Sequence, residues 1–235
     1  MHEASLWPSN CFVTLTYSPE NVPSSGSLDP DAFVRFMKRL RKAKGSGVRF
    51  FHCGEYGESM SRPHHHVLLF NCSFPDAVPM PSRKEAQLHR SAELEQLWPF
   101  GFSSIGEVSF ESAGYVARYA LKKVKGERAK DHYKGRVPEY LTMSRRPGLG
   151  RGWIERFHAD VYPSGELVVN GRVCSPPRFY DDVASKVDLR GVELAKARRM
   201  AHAAEDPDAT GARLVVREVI KAAATAALRR ELETS

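Results

Sequence analysis

The run Pro63-His64-His65-His66-Val67-Leu68-Leu69-Phe70 restricts the folds open to this chain more than any other stretch. Val67 to Phe70 is a short, continuously apolar segment of the kind that forms a buried strand. Pro63 biases Arg62 before it toward extended backbone. On a strand alternate side chains share a face, so His64 and His66 point one way and His65 the other. Upstream, Val48 to Tyr56 reads as a second strand, joined to the first by the short connection Gly57 to Pro63. Strands so closely joined pair as an antiparallel hairpin. Two imidazoles on one face of a rigid hairpin form a divalent-metal hypothesis, and Glu55, at the end of the partner strand, is the nearest carboxylate on a regular element. A His-x-His pair alone is a weak signal, equally compatible with polar residues on a solvated sheet face.

The other elements follow from periodicity and punctuation. Phe12 to Tyr17 alternates β-branched and aromatic residues, as a strand does. Asp29-Pro30 opens a helix whose stripe is Phe33, Phe36, Met37 and Leu40 and which Gly45 stops. A helix is expected over Ser82 to Leu97 and a strand over Phe102 to Phe110. Ser112 is the expected cap of a helix carrying Tyr115 and Tyr119. After a Gly- and Arg-rich passage from Ser144 to Trp153, a short helix runs through Phe157 and a strand and turn cover Leu167 to Arg172. Beyond the Pro176-Pro177 break, Val183 to Ala204 and Leu214 to Leu232 read as a helical C-terminal extension.

Composition narrows the chemistry less sharply. The 35 Lys and Arg residues against 28 Asp and Glu leave a net charge of +7, which permits a nucleic-acid partner without requiring one. Basic residues gather at Arg35 to Lys44, Lys122 to Lys130 and Arg145 to Arg156. The four cysteines lie far apart, with no Cys-x-x-Cys pair, as in thiols of a reducing compartment. The first residues show no leader pattern, and no apolar run approaches the length of a membrane span, so an intracellular, soluble protein is expected.

Two tyrosines four residues apart, Tyr115 and Tyr119, fall on one face of their helix, one turn apart. A phenol can act as a nucleophile on a phosphodiester, and a nearby cation makes such attack feasible. The same spacing also serves ordinary amphipathic packing. Lys122 and Lys123 lie one turn beyond, where Lys donates to a phosphate or lines a backbone groove. His52 falls out of phase with Glu55 and is expected to be structural, and His65 is expected to hydrogen-bond within the core edge.

Four passages, in this order, resemble the HUH endonucleases, rolling-circle replication initiators that nick single-stranded DNA through a tyrosine. Phe12 to Tyr17 resembles the first motif strand. Phe51 to Gly57 and Arg62 to Phe70 resemble the carboxylate and metal-histidine motifs. Gly114 to Lys123 resembles the paired-tyrosine motif. Met143 to Gly150 and Val169 to Tyr180 are similar to passages of the replication-associated proteins of gokushovirus-like microviruses, small single-stranded DNA phages. The likeness covers residues 11 to 181.

The resemblance implies an α+β fold with a central five-stranded antiparallel sheet flanked by helices, an RRM- or ferredoxin-like palm. It implies an endonuclease domain over 1–180 and a helical extension over 181–235. By carry-over His64, His66 and Glu55 are metal ligands for Mg²⁺ or Mn²⁺, Tyr115 and Tyr119 are the nucleophiles, and Lys122 and Lys123 assist them. Arg62, Arg118, Lys125, Arg145 and Arg146 are the expected DNA contacts. The implied partners are single-stranded origin DNA and the host polymerase and helicase, in the cytoplasm of a bacterial host, with the protein a monomer. His65 departs from the family pattern, which has a hydrophobic residue between the histidines. A transposase or relaxase of the same superfamily, a water-activating metal-dependent hydrolase, and a non-catalytic single-strand-binding protein are the competing readings; the last two need neither phenol.

Overall fold

In the computed structural model the described residues are 1–57, 61–81, 87–124 and 126–227, without the side chains of residues 119–122 and 226. The chain forms two compact units, one reaching to Leu149 and one beginning at Gly150. The first is built on an antiparallel sheet of β1 (Asn10–Tyr17), β2 (Arg49–Tyr56), β3 (Pro63–Phe70), β4 (Val78–Pro79), β5 (His89–Arg90), β6 (Gly101–Gly106) and β7 (Tyr140–Met143). Their order across the sheet is β4-β5-β6-β1-β3-β2-β7.

The sheet therefore has seven strands and not the expected five. The additional pair, β4 and β5, are two-residue segments added outside β6 through the pairing of His89 with Ile105. They replace part of the helix expected from Ser82; residues 82–86 lie outside the described residues. The helix there, α2 (Ala92–Leu97), is short because Ser91 caps it, its Oγ accepting from the Leu94 amide at 3.1 Å. Asp76 fixes that cap, accepting from Ser91 Oγ at 2.7 Å and from the Glu93 amide at 2.9 Å. At the opposite edge, β7 extends the hairpin beyond β2, with Phe51 opposite Met143.

Alternation along the three central strands sorts the side chains onto two faces. Val13, Leu15, Val67 and Leu69 pack with α1 (Pro30–Lys44) and with Leu94 and Trp98 of the α2 region. Phe33, Phe36, Met37 and Leu40 of α1 are all buried, each contributing about 1.5–3 kcal/mol by leaving water. Asp29 caps α1 by accepting from the Asp31 amide, and Gly45, at φ +96°, ends it. On the other face Phe12, Cys53, Leu68 and Phe70 pack against Tyr115 and Val116 of α3 (Phe110–Lys122).

The start of α3 differs from expectation. The strand before it stops at Gly106, and the cap is Ser109, whose Oγ accepts from the Ser112 amide while Ser112 Oγ accepts from the Ser109 amide at 2.8 Å. This reciprocal capping box makes Ser112 the third helical residue and Tyr115 the sixth. A short helix, α4 (Arg128–Tyr133), follows within the basic run that had been read as loop.

The second unit comprises α5 (Arg151–Val161), the hairpin β8 (Leu167–Val169) and β9 (Arg172–Cys174), α6 (Arg178–Ala184), α7 (Leu189–Glu205) and α8 (Gly211–Ala226). Ile154, Val161, Tyr180, Val183 and Val192 form its core. Asp181 ties it together, accepting from Tyr162 Oη and pairing with Arg199, both at 2.6 Å. The helical extension is thus present, though α7 starts at Leu189, capped by Asp188, and α6 is a separate helix before it. No helix among the described residues is long and apolar enough to cross a membrane. Cys11, Cys53, Cys72 and Cys174 are free thiols.

Candidate active site

The hairpin register places Glu55 opposite His64, and Cys53 opposite His66. Strand β1 flanks the other side, with Thr14 opposite His66 and Thr16 opposite His64. His64 and His66 stand side by side on the α3 face, their rings parallel within 1° and their centroids 6.3 Å apart. Helix α3 lies over this face and brings the phenol of Tyr115 to the histidine–carboxylate pair.

Three groups converge there. His66 Nε2 lies 2.7 Å from Glu55 Oε1. The Tyr115 hydroxyl donates to Glu55 Oε1 at 3.2 Å and lies 3.4 Å from His66 Nε2. The His66 ring stands edge-on to the Tyr115 ring, with centroids 5.0 Å apart, and stacks on Phe12. Its other nitrogen, Nδ1, shares a 3.0 Å hydrogen bond with Thr14 Oγ1. All three convergent side chains are buried, with Tyr115 5% exposed. Contacts made at low dielectric are stronger and their geometry better fixed than at a surface.

His64 is oriented differently. Its Nδ1 lies 2.6 Å from the Arg62 carbonyl oxygen, which can only accept, so Nδ1 carries the proton and Nε2 presents a lone pair. Burial pushes the His64 pKa down, and the neighbouring His66 adds to the effect. A neutral imidazole with one nitrogen held by a backbone carbonyl is the usual state of a metal-binding histidine. Among the described residues, no group of three or more His, Cys, Asp or Glu side chains is gathered as a ready-made metal site. At 2.7 Å the His66–Glu55 contact is bridged by a proton.

The reverse face of β3 carries His65 into the core. His65 and His52 are both fully buried, with His65 Nδ1 3.1 Å from His52 Nε2. Tyr17 Oη and Thr142 Oγ1 bond the outer nitrogens at 3.4 Å and 2.9 Å, and His52 stacks on Phe33. Burial, reinforced by His66, pushes the His65 pKa down to about 3. Both rings are packing and hydrogen-bonding elements, as their positions in the sequence imply.

The remaining candidates are scattered. Arg118 Nε donates to the Gly114 carbonyl on α3, Arg62 reaches the Tyr17 carbonyl at 3.5 Å, and Lys123 is exposed where α3 ends. Arg145 and Arg146 follow β7, at the far end of β2 from Glu55. Tyr119 and Lys122 belong to α3 by backbone, but their side chains, like the whole of Lys125, lie outside the described residues. Thr14 and Phe12, which hold the His66 ring, were not singled out from the sequence. Their signal is the alternation of Phe12 to Tyr17, which puts both on the face of His66.

Comparison with known proteins agrees with this arrangement. A family model described as replication-associated protein of the ORF2 type matches residues 10–124, the span from β1 to just beyond α3. Replication-associated protein VP4 of Bdellovibrio phage phiMH2K is 34% identical over 217 residues, covering 83% of this chain and 68% of that protein. Replication-associated protein ORF2 of Spiroplasma virus 4 is 38% identical over 172 residues, covering 68% of this chain and 52% of its own length. Replication-associated protein ORF4 of Chlamydia phage 1 is 28% identical over 203 residues, 79% of this chain and 48% of that protein. The chain thus spans about half the length of the last two relatives. No solved structure matches the chain. With a third of the aligned residues shared across two thirds of a phage relative, and a family match running from β1 through the tyrosine helix, the chain belongs to the ORF2-type family of replication-associated proteins.

Proposed function

We propose that this protein is an HUH-type endonuclease, of the kind found in gokushovirus-like microviruses, that nicks single-stranded origin DNA and rejoins its ends. The observation that carries the reading is the Tyr115 hydroxyl, 3.2 Å from Glu55 and 3.4 Å from His66 on the face that also bears His64. A phenol at a histidine–carboxylate cluster is suited to nucleophilic attack on phosphorus. Resemblance to the paired-tyrosine motif adds Tyr119 as the second nucleophile.

The donor set fits a divalent cation. His64 Nε2 offers a lone pair because Nδ1 is held by Arg62, and His66 and Glu55 supply a second nitrogen and an oxygen. Two imidazoles and a carboxylate leave positions open for phosphate oxygens, with Mn²⁺ more tolerant of nitrogen than Mg²⁺. When bound, such an ion neutralises the developing charge on the phosphate. In the first transfer the phenol's proton passes to Glu55, and the tyrosine oxygen bonds to phosphorus as the bond to the 3′ oxygen breaks. The 5′ phosphate is then linked to tyrosine, and the released 3′ hydroxyl, after protonation, primes a host polymerase working with a host helicase in the bacterial cytoplasm. The second tyrosine cleaves the regenerated origin, and the freed 3′ hydroxyl attacks the first phosphotyrosine to close a circle. The bond energy is kept throughout, so no nucleotide cofactor is required.

Residues 1–180 are the proposed nicking domain and 181–235 its helical extension. The test is a denaturing gel of protein incubated with single-stranded origin DNA and Mn²⁺. Wild type should form a covalent adduct, and the Tyr115→Phe, Tyr119→Phe double variant should form none. Absence of adduct in wild type, or full adduct in the double variant, refutes the reading.

A further inference from the structure

A second basic site lies away from the tyrosine. Where β2 begins and β7 ends, a cavity of about 470 Å³ is lined by Arg41, Arg49, Arg145 and Arg146, with Ser46 and Ser144 among the polar groups and Phe50 and Met143 among the apolar ones. Among the described residues, no acidic side chain lines it. The four guanidiniums come from three parts of the first unit: Arg41 from α1, Arg49 from β2, and Arg145 and Arg146 from the segment after β7.

Two of the four are built into the wall. Arg49 Nε pairs with the buried Glu3 at 2.6 Å while its Nη2 donates to the Pro147 carbonyl at 2.8 Å, which anchors the segment bearing Arg145 and Arg146. Arg41 donates to the Val48 carbonyl and lies over the Phe50 ring, 5.6 Å from its centroid. The other two, Arg145 and Arg146, are exposed and form no ion pair among the described residues. Within those residues Glu3 is the one carboxylate paired with the group. Four planar cations around a concavity, with three charges uncompensated, match the bidentate donor geometry that phosphate oxygens accept.

Position argues for one ligand. Arg49 and Glu55 lie on the same strand six residues apart, a separation of about 20 Å at ~3.3 Å per residue. At the ~3.4 Å per nucleotide of a stacked strand, about six nucleotides cover that distance. One strand of DNA can therefore occupy both places at once. We propose that this arginine cavity is a phosphodiester-binding subsite that holds single-stranded DNA several nucleotides away from the scissile bond. The proposal rests on the reading of the chain as a protein that acts on single-stranded DNA. It assigns these arginines to anchoring the strand, apart from the chemistry at Tyr115.

The experiment compares wild type with the Arg145→Ala, Arg146→Ala double variant, whose side chains are exposed and outside the core. Binding is measured without divalent cation, so that it is independent of nicking. One oligonucleotide extends about ten nucleotides to each side of the nick position, and another ends about two nucleotides from it. The double variant should bind the long strand about tenfold or more weakly, with the slope of log affinity against log salt shallower by about 1.4, and should bind the short strand as wild type does. Equal weakening on both strands would place the arginines in the nicking site and overturn the proposal, as would unchanged binding of the long strand. A deoxynucleoside triphosphate bound by wild type as tightly as the long strand, and released in the double variant, would make the cavity a free-nucleotide site and also overturn it. If wild type binds the long strand but forms no covalent adduct, the nickase reading fails while the subsite stands.

Discussion

Removing one imidazole of the buried His52–His65 pair should destabilise the protein nearly as much as removing both. The two rings are fully buried and bonded to each other at 3.1 Å, with Thr142 and Tyr17 on their outer nitrogens. In His65→Leu, apolar volume is largely kept behind the metal-face histidines, but His52 Nε2 is left in a dry core without its partner. A buried polar group stripped of its partner costs about 1–3 kcal/mol, whereas replacing both partners by apolar groups of similar shape is close to neutral for that bond. Each single Leu variant should therefore lose about 2 kcal/mol, and the double variant under about 3 kcal/mol instead of the roughly 4 kcal/mol of independent sites. Against a typical total of about 5–15 kcal/mol the difference is large enough to read from urea midpoints followed by circular dichroism. Strictly additive losses would refute the claim that the two histidines satisfy each other.

Acidification should reveal the same pair, because burial holds His65 at a pKa of about 3 and His52 well below its ordinary 6.5. For a base with a depressed folded pKa, the unfolded chain takes up the proton first. The contribution is complete above about pH 6.5 and falls by up to about 1.4 kcal/mol per pH unit per histidine below it. Urea midpoints at about pH 7 and about pH 5 should differ much less in the double Leu variant than in wild type; an equal difference would assign the acid sensitivity elsewhere. Ser109→Ala should cost about 1 kcal/mol by opening the capping box that starts the tyrosine helix. An unchanged thermal midpoint in that variant would mean the cap does not anchor α3.

The hairpin was legible in the sequence because its signals agree. Alternation, an apolar run and a connection too short for a crossover leave one pairing, and that pairing sets Glu55 across from His64. The inward turn of His65 follows from the same period of two. By contrast, β7 is four residues long and is specified by what it meets: Met143 opposite Phe51, and Thr142 on His52. The two-residue strands β4 and β5 carry no pattern at all. At α3 both Ser109 and Ser112 are cap-type residues, and only the reciprocal hydrogen bonds decide which is the cap. Pro176-Pro177 read as a break, yet Pro177 is the residue that leads into α6, a position where its missing N–H costs nothing. The convergence of Tyr115 with His66 and Glu55 is tertiary; from the sequence it rested on a resemblance, since spacing alone does not say which face of α3 meets the sheet.

The most direct test of the tyrosine mechanism is to locate the DNA on the protein. The covalent adduct formed on single-stranded origin DNA with Mn²⁺ is trimmed with nuclease and protease, and the linked peptide is fragmented in a mass spectrometer. The account predicts a nucleotide on Tyr115 or Tyr119, within the helix Phe110–Lys122. A nucleotide on any other side chain, or cleaved DNA with no protein attached, would contradict it.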